Sequence, residues 1–481
     1  MPSQTRKITL DTAALFFGRA VGLLLGVVRL NYLATYLGLS NFGILNFATY
    51  FTSLFQSLFD LGLSQLLTRE VARHLSRSRE LVGGALAIKV VIAILSSGLL
   101  TLVVLFSRFD ATINVAILLT TIAVAINSIS MALLSALQAH RKMVVVSIAN
   151  IINDAALSGA IILLIPHIPT VTVALVLTGL VAIANLAVLF VLYSRIAGPP
   201  RLPADMATST TLLREGIPMA VSSLGISLYT FVGPTILKYT RGEEEVGLYS
   251  AGYKLISILT LIPTAFTQVI YPVFSDFFAN AREKLGKALA DSLRVISIIS
   301  VPLATGAVLL GPRIFQLLYT QQYRPGVIVL QVMIIGNVFG YMDWVLASFL
   351  LAVNRQAFLM GISLGFGLLA TVAGLLLIPS YGFVALPFLS ATIECLLFGT
   401  QYLYLRRHGY TVFSFAGLIK PLVAAGVMAV ALLAAGTLHI VLLIPLGAVV
   451  YASILYLIRG YGEQERAIID WFLTRTVRHE R

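Results

Sequence analysis

Apolar runs of eighteen residues or more follow one another along almost the whole chain, separated by short polar breaks. A helix of about 20 residues crosses a hydrocarbon layer of roughly 30 Å, so each run is a candidate membrane span. The pattern predicts about fourteen spans, over 11–37, 41–68, 81–106, 111–138, 143–166, 169–194, 212–239, 245–275, 285–311, 324–352, 357–379, 381–406, 412–438 and 439–459. Short alternating segments, the mark of a membrane barrel, do not appear, so the expected fold is all-α and polytopic. The first run starts at Asp11 with no small-residue cleavage site and reads as an uncleaved signal anchor.

The same pattern recurs between the two halves. Arg79-Glu-Leu-Val-Gly-Gly-Ala-Leu-Ala87 returns as Arg282-Glu-Lys-Leu-Gly-Lys-Ala-Leu-Ala290, and Phe42-Gly-Ile-Leu-Asn46 as Val246-Gly-Leu-Tyr-Ser250. Leu137-Gln-Ala-His-Arg141 matches Leu351-Ala-Val-Asn-Arg355, and both halves reach Ile-Pro one span later, at Pro166 and Pro379. Six spans separate equivalents, an even number, so the repeats are parallel and related by an axis along the membrane normal. The expected organisation is a six-helix lobe over 1–200, a second six-helix lobe over 201–411, a helix pair over 412–460 and a tail over 461–481. The Pro-rich segment Gly198 to Thr211 is the expected linker. In the tail, Ile468, Ile469, Trp471 and Phe472 among charges suit a short interfacial helix.

Composition agrees: 58% of 481 residues are hydrophobic and 11% charged, with a mean hydropathy of +0.95, which no soluble chain could cover with polar surface. With the N-terminus inside, about 21 cations fall in cytoplasmic segments, and only Arg108, Lys238, Arg241, Arg313 and Arg324 fall outside. Both termini are therefore expected in the cytoplasm, the chain in the plasma or inner membrane. The net charge of +13 is a topology signal and an attraction to membrane lipids, with no nucleic-acid partner implied. The single cysteine, Cys395, falls inside a span and is expected to be a packing residue.

Ionisable groups at membrane depth are costly and are the first functional candidates. Successive helical residues turn by about 100°, which gathers Gly18, Arg19, Gly22, Gly26 and Arg29 on one face of the first span. Glycines at this spacing favour close helix packing, whereas two arginines on the same stripe point to a polar cavity or to paired acids. In the second span Asn46, Tyr50, Ser53, Ser57, Asp60 and Ser64 form one polar stripe, and the repeat offset carries it onto Ser250, Lys254 and Ser257 in the eighth. Arg29 and Lys254 both lie about eight or nine residues from the outer ends of their spans, with no acid evident beside them. Arg19 and Asp60 lie at a common inner depth, where an ion pair is the plain alternative. Asp291 and Arg294 have the spacing of a local salt bridge. Asp154, near Asn150, and Asp343, near Asn337, are candidate coupling sites for Na+ or H+, or hydrogen-bonding groups for a neighbouring helix.

Enzyme signatures are missing. There is no phosphate-binding loop and no His-Glu-x-x-His motif, and the six histidines are scattered, so no cofactor, metal or catalytic residue is expected. ATP-driven transport by this chain alone is excluded.

Gly18-Arg19, Tyr36-Leu-Gly-Leu-Ser-Asn-Phe-Gly43, Asp60-Leu-Gly62 and Thr68-Arg-Glu70, in this order within a fourteen-span layout, resemble the O-antigen-type polysaccharide-biosynthesis flippases of the multidrug/oligosaccharidyl-lipid/polysaccharide superfamily. The resemblance implies a transporter that moves an isoprenoid-diphosphate-linked oligosaccharide from the cytoplasmic to the outer leaflet by alternating access. A glycan polymerase and glycosyltransferases would be its working neighbours. Guanidinium groups suit diphosphate oxygens physically, which makes Arg29 and Lys254, with Arg19, the expected cargo contacts and Asp60, Tyr50, Asn46 and Ser257 part of the wetted path. The alternatives are a cation-coupled multidrug exporter of the same superfamily and, from another class, a membrane glycan polymerase or transferase.

Overall fold

The structure is a computed structural model. It describes the backbone of residues 2–107, 109–202, 207–410 and 416–460 and the side chains of 17–107, 109–202, 223–410 and 417–460. The expected tail helix over 461–481 lies outside the described residues, as does part of the linker. In chain order the helices are α1 Pro2–Leu54, α2 Gln56–Asp60, α3 Leu63–Arg73, α4 Ser78–Phe106, α5 Ala111–Ala139, α6 Met143–Leu164, α7 Val171–Ala197 and α8 Ala207–Arg241. There follow α9 Glu243–Leu259, α10 Leu261–Asn280, α11 Arg282–Leu318, α12 Val327–Ala352, α13 Gln356–Tyr381, α14 Ala385–Arg407, α15 Ala416–Ala434 and α16 Ile440–Leu457. No strand occurs among the described residues.

Eleven helical runs are long and apolar enough to cross a membrane, against about fourteen expected. The difference has local causes. α1 passes through a non-helical residue, Gly38 (φ 73°, ψ 175°), and so joins two expected spans. The 52-residue run 356–407 joins two more across a turn at Gly382 (φ 61°). α8 is partly undescribed and is not among the eleven.

The duplication is written in the backbone. Helices commonly end on a left-handed residue, which glycine tolerates because it has no Cβ. Such residues occur at equivalent places in the two halves: Gly38 and Gly242, Arg141 and Asn354, Gly198 and Gly409. The caps at Arg141 and Asn354 also share hydrogen bonds, Lys142 N to Leu137 O at 3.1 Å and Arg355 N to Leu350 O at 2.8 Å. This corrects the expected alignment by one residue, because Leu137 is equivalent to Leu350, not to Leu351. Both second spans are also interrupted at matching points, at Phe55 between α1 and α2 and at Thr260 between α9 and α10.

The backbone packs as two compact units, each with its own core. One contains Met1–Ala251, Leu318–Gly326 and Met360–Leu386. Within it Leu67, Val82, Leu133, Leu137 and Tyr193 bring α3, α4, α5 and α7 together. Gly43 and Gly247, equivalent residues of the repeat, meet there. The amide nitrogen of Gly247 is 3.2 Å from where a Cβ on Gly43 would stand, and that of Gly43 is 3.5 Å from where one on Gly247 would stand. Beside them Lys238 Nζ lies 2.6 Å from Glu243 Oε2 and Glu245 accepts from Phe383 N at 2.7 Å. The start of the linker is bound to α4, with Arg79 Nε donating to Pro199 O and Arg201 N to Arg79 O, each at 3.0 Å.

The other unit contains Gly252–Leu317, Val327–Leu359 and Pro387–Arg481. Phe274, Leu293, Met342, Phe349 and Phe398 form one cluster, and Met428, Leu443 and Leu455 seal α15 and α16 onto Val301 and Leu310. Arg294 Nη2 lies 3.3 Å from Asp291 Oδ1, the local pair the spacing suggests. Cys395 is exposed on α14, which corrects the expected packing role. Large apolar side chains such as Leu95, Phe106, Leu376 and Leu433 are also exposed, as on a protein solvated by lipid.

Candidate functional site

In the first unit the polar groups gather where α1 meets α6. A Cβ on Gly18 would strike Ser147 Oγ, and one on Gly22 would lie 2.5 Å from Asp154 Oδ2. The glycine face of α1 therefore lets α6 bring its polar side chains in close. One turn or so further along, Arg29 Nη1 lies 3.9 Å from Asp154 Oδ1 and 3.5 Å from Ser158 Oγ, and Ser158 donates to Leu25 O at 3.3 Å. Contacts ascend together on both helices, so α1 and α6 run in the same direction. That is the relation expected of a first and a fifth crossing.

Asp154 is the acid that the sequence pattern did not place beside Arg29; the two are held together by a packing relation between distant segments, and no local spacing reports it. Neither side chain is sealed, with 24% of Arg29 and 33% of Asp154 exposed. Arg19 is exposed and forms no ion pair among the described residues.

Asp60 is engaged elsewhere, and not with Arg19. Lys89 of α4, fully buried, places Nζ 2.5 Å from Asp60 Oδ1, 3.2 Å from Ser64 Oγ and 3.3 Å from Ser128 Oγ. Ser64 also donates to Asp60, and Ser128 to Phe59 O at 2.6 Å. The network straddles a backbone break, since Leu61 (φ 45°) and Gly62 (φ 70°) are both left-handed. The Asp60-Leu-Gly62 motif is thus an interrupted helix stapled by a buried ammonium. Lys89 is one of the ionisable groups the sequence places inside a span, but its neighbours in sequence are apolar and only the fold brings the acid and two hydroxyls to it.

The polar stripe of the second span is cut by this break and by the one at Phe55. Asn46 is buried and donates to Phe42 O at 2.8 Å, as its repeat equivalent Ser250 does to Val246 O at 2.6 Å. Tyr50 is buried, its ring stacked on Phe231 and edge-on to Tyr249.

In the second unit Lys254 is half-buried on α9, and Ser257, exposed, donates to its carbonyl at 2.7 Å. Asp343 of α12 accepts from Gln401 Nε2 of α14. Glu394 Oε2 approaches the bare face of Gly340 to 2.7 Å of a would-be Cβ, with Asn337 Oδ1 3.6 Å from the same point. Gln401, only 2% exposed, leaves its Oε1 without a hydrogen bond. The pattern named Asp343 and Asn337 on one helix; Glu394 and Gln401 come from a helix about fifty residues on. Among the described residues no group of three or more His, Cys, Asp or Glu is placed to hold a metal.

An all-helical bundle, among the described residues, with eleven runs long and apolar enough to cross a membrane and charged groups inside them has the architecture of a membrane transporter. The chain belongs to the family of polysaccharide biosynthesis proteins, whose sequence model matches residues 8–278. A relative, the putative O-antigen transporter of Shigella flexneri, is 22% identical over 359 residues, covering 71% of this chain and 84% of its own. Among solved structures, a lipid II flippase MurJ in an inward closed conformation superposes with a TM-score of 0.75 at 13% identity, over 94% of this chain and 98% of that one. An inward-facing multidrug resistance MATE family transporter of the MOP superfamily gives 0.65 at 12% identity, over 80% and 94%. At these identities the two structures establish a shared fold.

Proposed function

We propose that this chain is a flippase that carries an isoprenoid-diphosphate-linked oligosaccharide from the cytoplasmic to the outer leaflet, with Arg29 and Lys254 engaging the diphosphate. Arg29 carries the reading. It falls inside the first span, partly exposed, and among the described residues only its Nη1 is in polar contact, at 3.5 to 3.9 Å, so among these residues most of its five donors remain for an anionic group. Family membership supports the cargo class, as does the relative described as a putative O-antigen transporter. Fourteen crossings, cytoplasmic termini and two parallel lobes working by alternating access complete the proposal. It is a transport function with no covalent chemistry. In the proposed orientation Gly43 and Gly247, which are in contact, fall near the outer ends of their spans, where such a cycle would be closed to the outside. Asp343, with Glu394 and Gln401, is the candidate site for coupling to Na+ or H+. The test is translocation in proteoliposomes of a labelled diphosphate-linked oligosaccharide beside a cationic drug. Movement of the glycan lipid alone supports the flippase, and movement of the drug alone supports the multidrug exporter.

A further inference from the structure

Arg29 already holds an anion. The carboxylate of Asp154 meets Nη1 of the guanidinium at 3.9 Å, a single loose contact, where a committed structural pair would be bidentate and shorter. Ser158 supports the same nitrogen at 3.5 Å and is itself tied to Leu25 O. On the other side, a Cβ at Gly26 would come no nearer than 4.0 Å to Nη2 and would touch nothing else among the described residues, so these leave room beside the Nη2 edge of the guanidinium. Gly22 likewise has no Cβ that would push Asp154 away. The two glycines thus serve opposite ends of one arrangement, one admitting the internal acid and one leaving the outer edge open.

We propose that Asp154 is a built-in competitor for the cargo's anionic group and sets which anions Arg29 accepts. The inference rests on the flippase reading, and adds to it the rule by which the site chooses. An anion that takes Nη1 must displace a carboxylate carrying one negative charge. A diphosphate, with more charge and more acceptor oxygens, gains more at the guanidinium than Asp154 gives up. A phosphodiester headgroup, carrying a single charge like the carboxylate, gains no such surplus. The cost of displacing Asp154 is the same for every anion, so it leaves Arg29 to those whose gain exceeds it and holds off anionic phospholipids, which a membrane supplies in large excess. The same competition keeps the diphosphate from being held too tightly to leave, which any transport site requires.

Binding of farnesyl diphosphate, farnesyl monophosphate and phosphatidylglycerol to the full chain in detergent tests this. Wild type is compared with Asp154→Asn, Asp154→Ser and Arg29→Ala, each first shown to keep the wild-type melting temperature. Asp154→Asn is close to isosteric; Asp154→Ser is the smaller substitute should the amide misfold. The expected result is a gain of roughly tenfold in affinity for each of the three ligands on removing Asp154, which brings the monophosphate and the phospholipid, too weak to bind wild type measurably, into the binding range. Arg29→Ala should lose the diphosphate. If both Asp154 variants bind all three ligands as wild type does while Arg29→Ala has lost the diphosphate, the competitor is overturned and the anion site stands. If Arg29→Ala binds farnesyl diphosphate as wild type does, the anion site itself is overturned.

Discussion

Removing one partner from the Lys89–Asp60 pair should cost very different amounts depending on which partner is removed. Asp60→Asn leaves a fully buried ammonium with no counter-charge beside it, solvated only by neutral oxygens, the new amide with Ser64 Oγ at 3.2 Å and Ser128 Oγ at 3.3 Å among the described residues. Uncompensated buried charge of this kind costs about 3–5 kcal/mol. Lys89→Met keeps the length and apolar contacts of the stem and strands a carboxylate that is 33% exposed and still bonded by Ser64. That loss should be smaller, about 1–2 kcal/mol. The double variant carries no charge in the pocket and should recover at least about 2 kcal/mol relative to Asp60→Asn, so that it costs less than the two single losses added, the non-additivity of directly contacting residues. Equilibrium unfolding of the four proteins in one mixed-micelle system closes the cycle. Equal costs for the two single variants, or a double variant that costs their sum, would refute the reasoning that Lys89 staples the break at Leu61 and Gly62.

The remaining predictions concern backbone contacts and one histidine. A Cβ at Gly43 falls on the backbone carbonyl of Glu243, so Gly43→Ala should destabilise by about 1–3 kcal/mol, whereas Gly26→Ala, facing open space, should be close to neutral by the same unfolding measurement. Gly38→Ala and Gly242→Ala, at positive φ of 73° and 93°, should each lose about 1–2 kcal/mol and lose it similarly, since they are the same turn in two copies. His140, between α5 and α6, bonds Ser78 Oγ at 2.9 Å, and burial, reinforced by Lys142, lowers its pKa below the ordinary histidine value. The folded protein then binds that proton less readily than the unfolded chain. Its contribution to stability is present above about pH 6.5 and is lost as pH falls below it. Melting temperatures between pH 7.5 and 5.5 should fall for wild type and fall less for His140→Gln.

What the sequence could reveal here follows from how far each signal travels along the chain. The duplication was legible because it is carried by local motifs, and the glycine turns at Gly38 and Gly242 fall at the spacing those motifs set. The one-residue error between Leu350 and Leu351 arises because letter matching sets Arg141 against Arg355, whereas the left-handed caps fall on Arg141 and Asn354. The packing face of Gly18 and Gly22 was legible from helical periodicity alone. Partnerships were not. Asp60 and Arg19 share a depth, and depth was the only coordinate the pattern offered; Lys89 lies on another helix and wins Asp60 through tertiary packing. Asp154 was named for its own cost at membrane depth, yet its bearing on Arg29 depends on α1 and α6 lying side by side. Gln401 and Glu394 gave no signal until α12 and α14 were brought together.

The central claim is that Arg29 and Lys254 contact the diphosphate of a lipid-linked oligosaccharide during its passage. Translocation of such a lipid into the protected leaflet of proteoliposomes, measured for wild type, Arg29→Ala and Lys254→Ala at matched protein incorporation, tests it most directly. Loss of one charge-assisted contact predicts a fall in rate of at least roughly tenfold for each variant. Wild-type rates in both variants would contradict the claim.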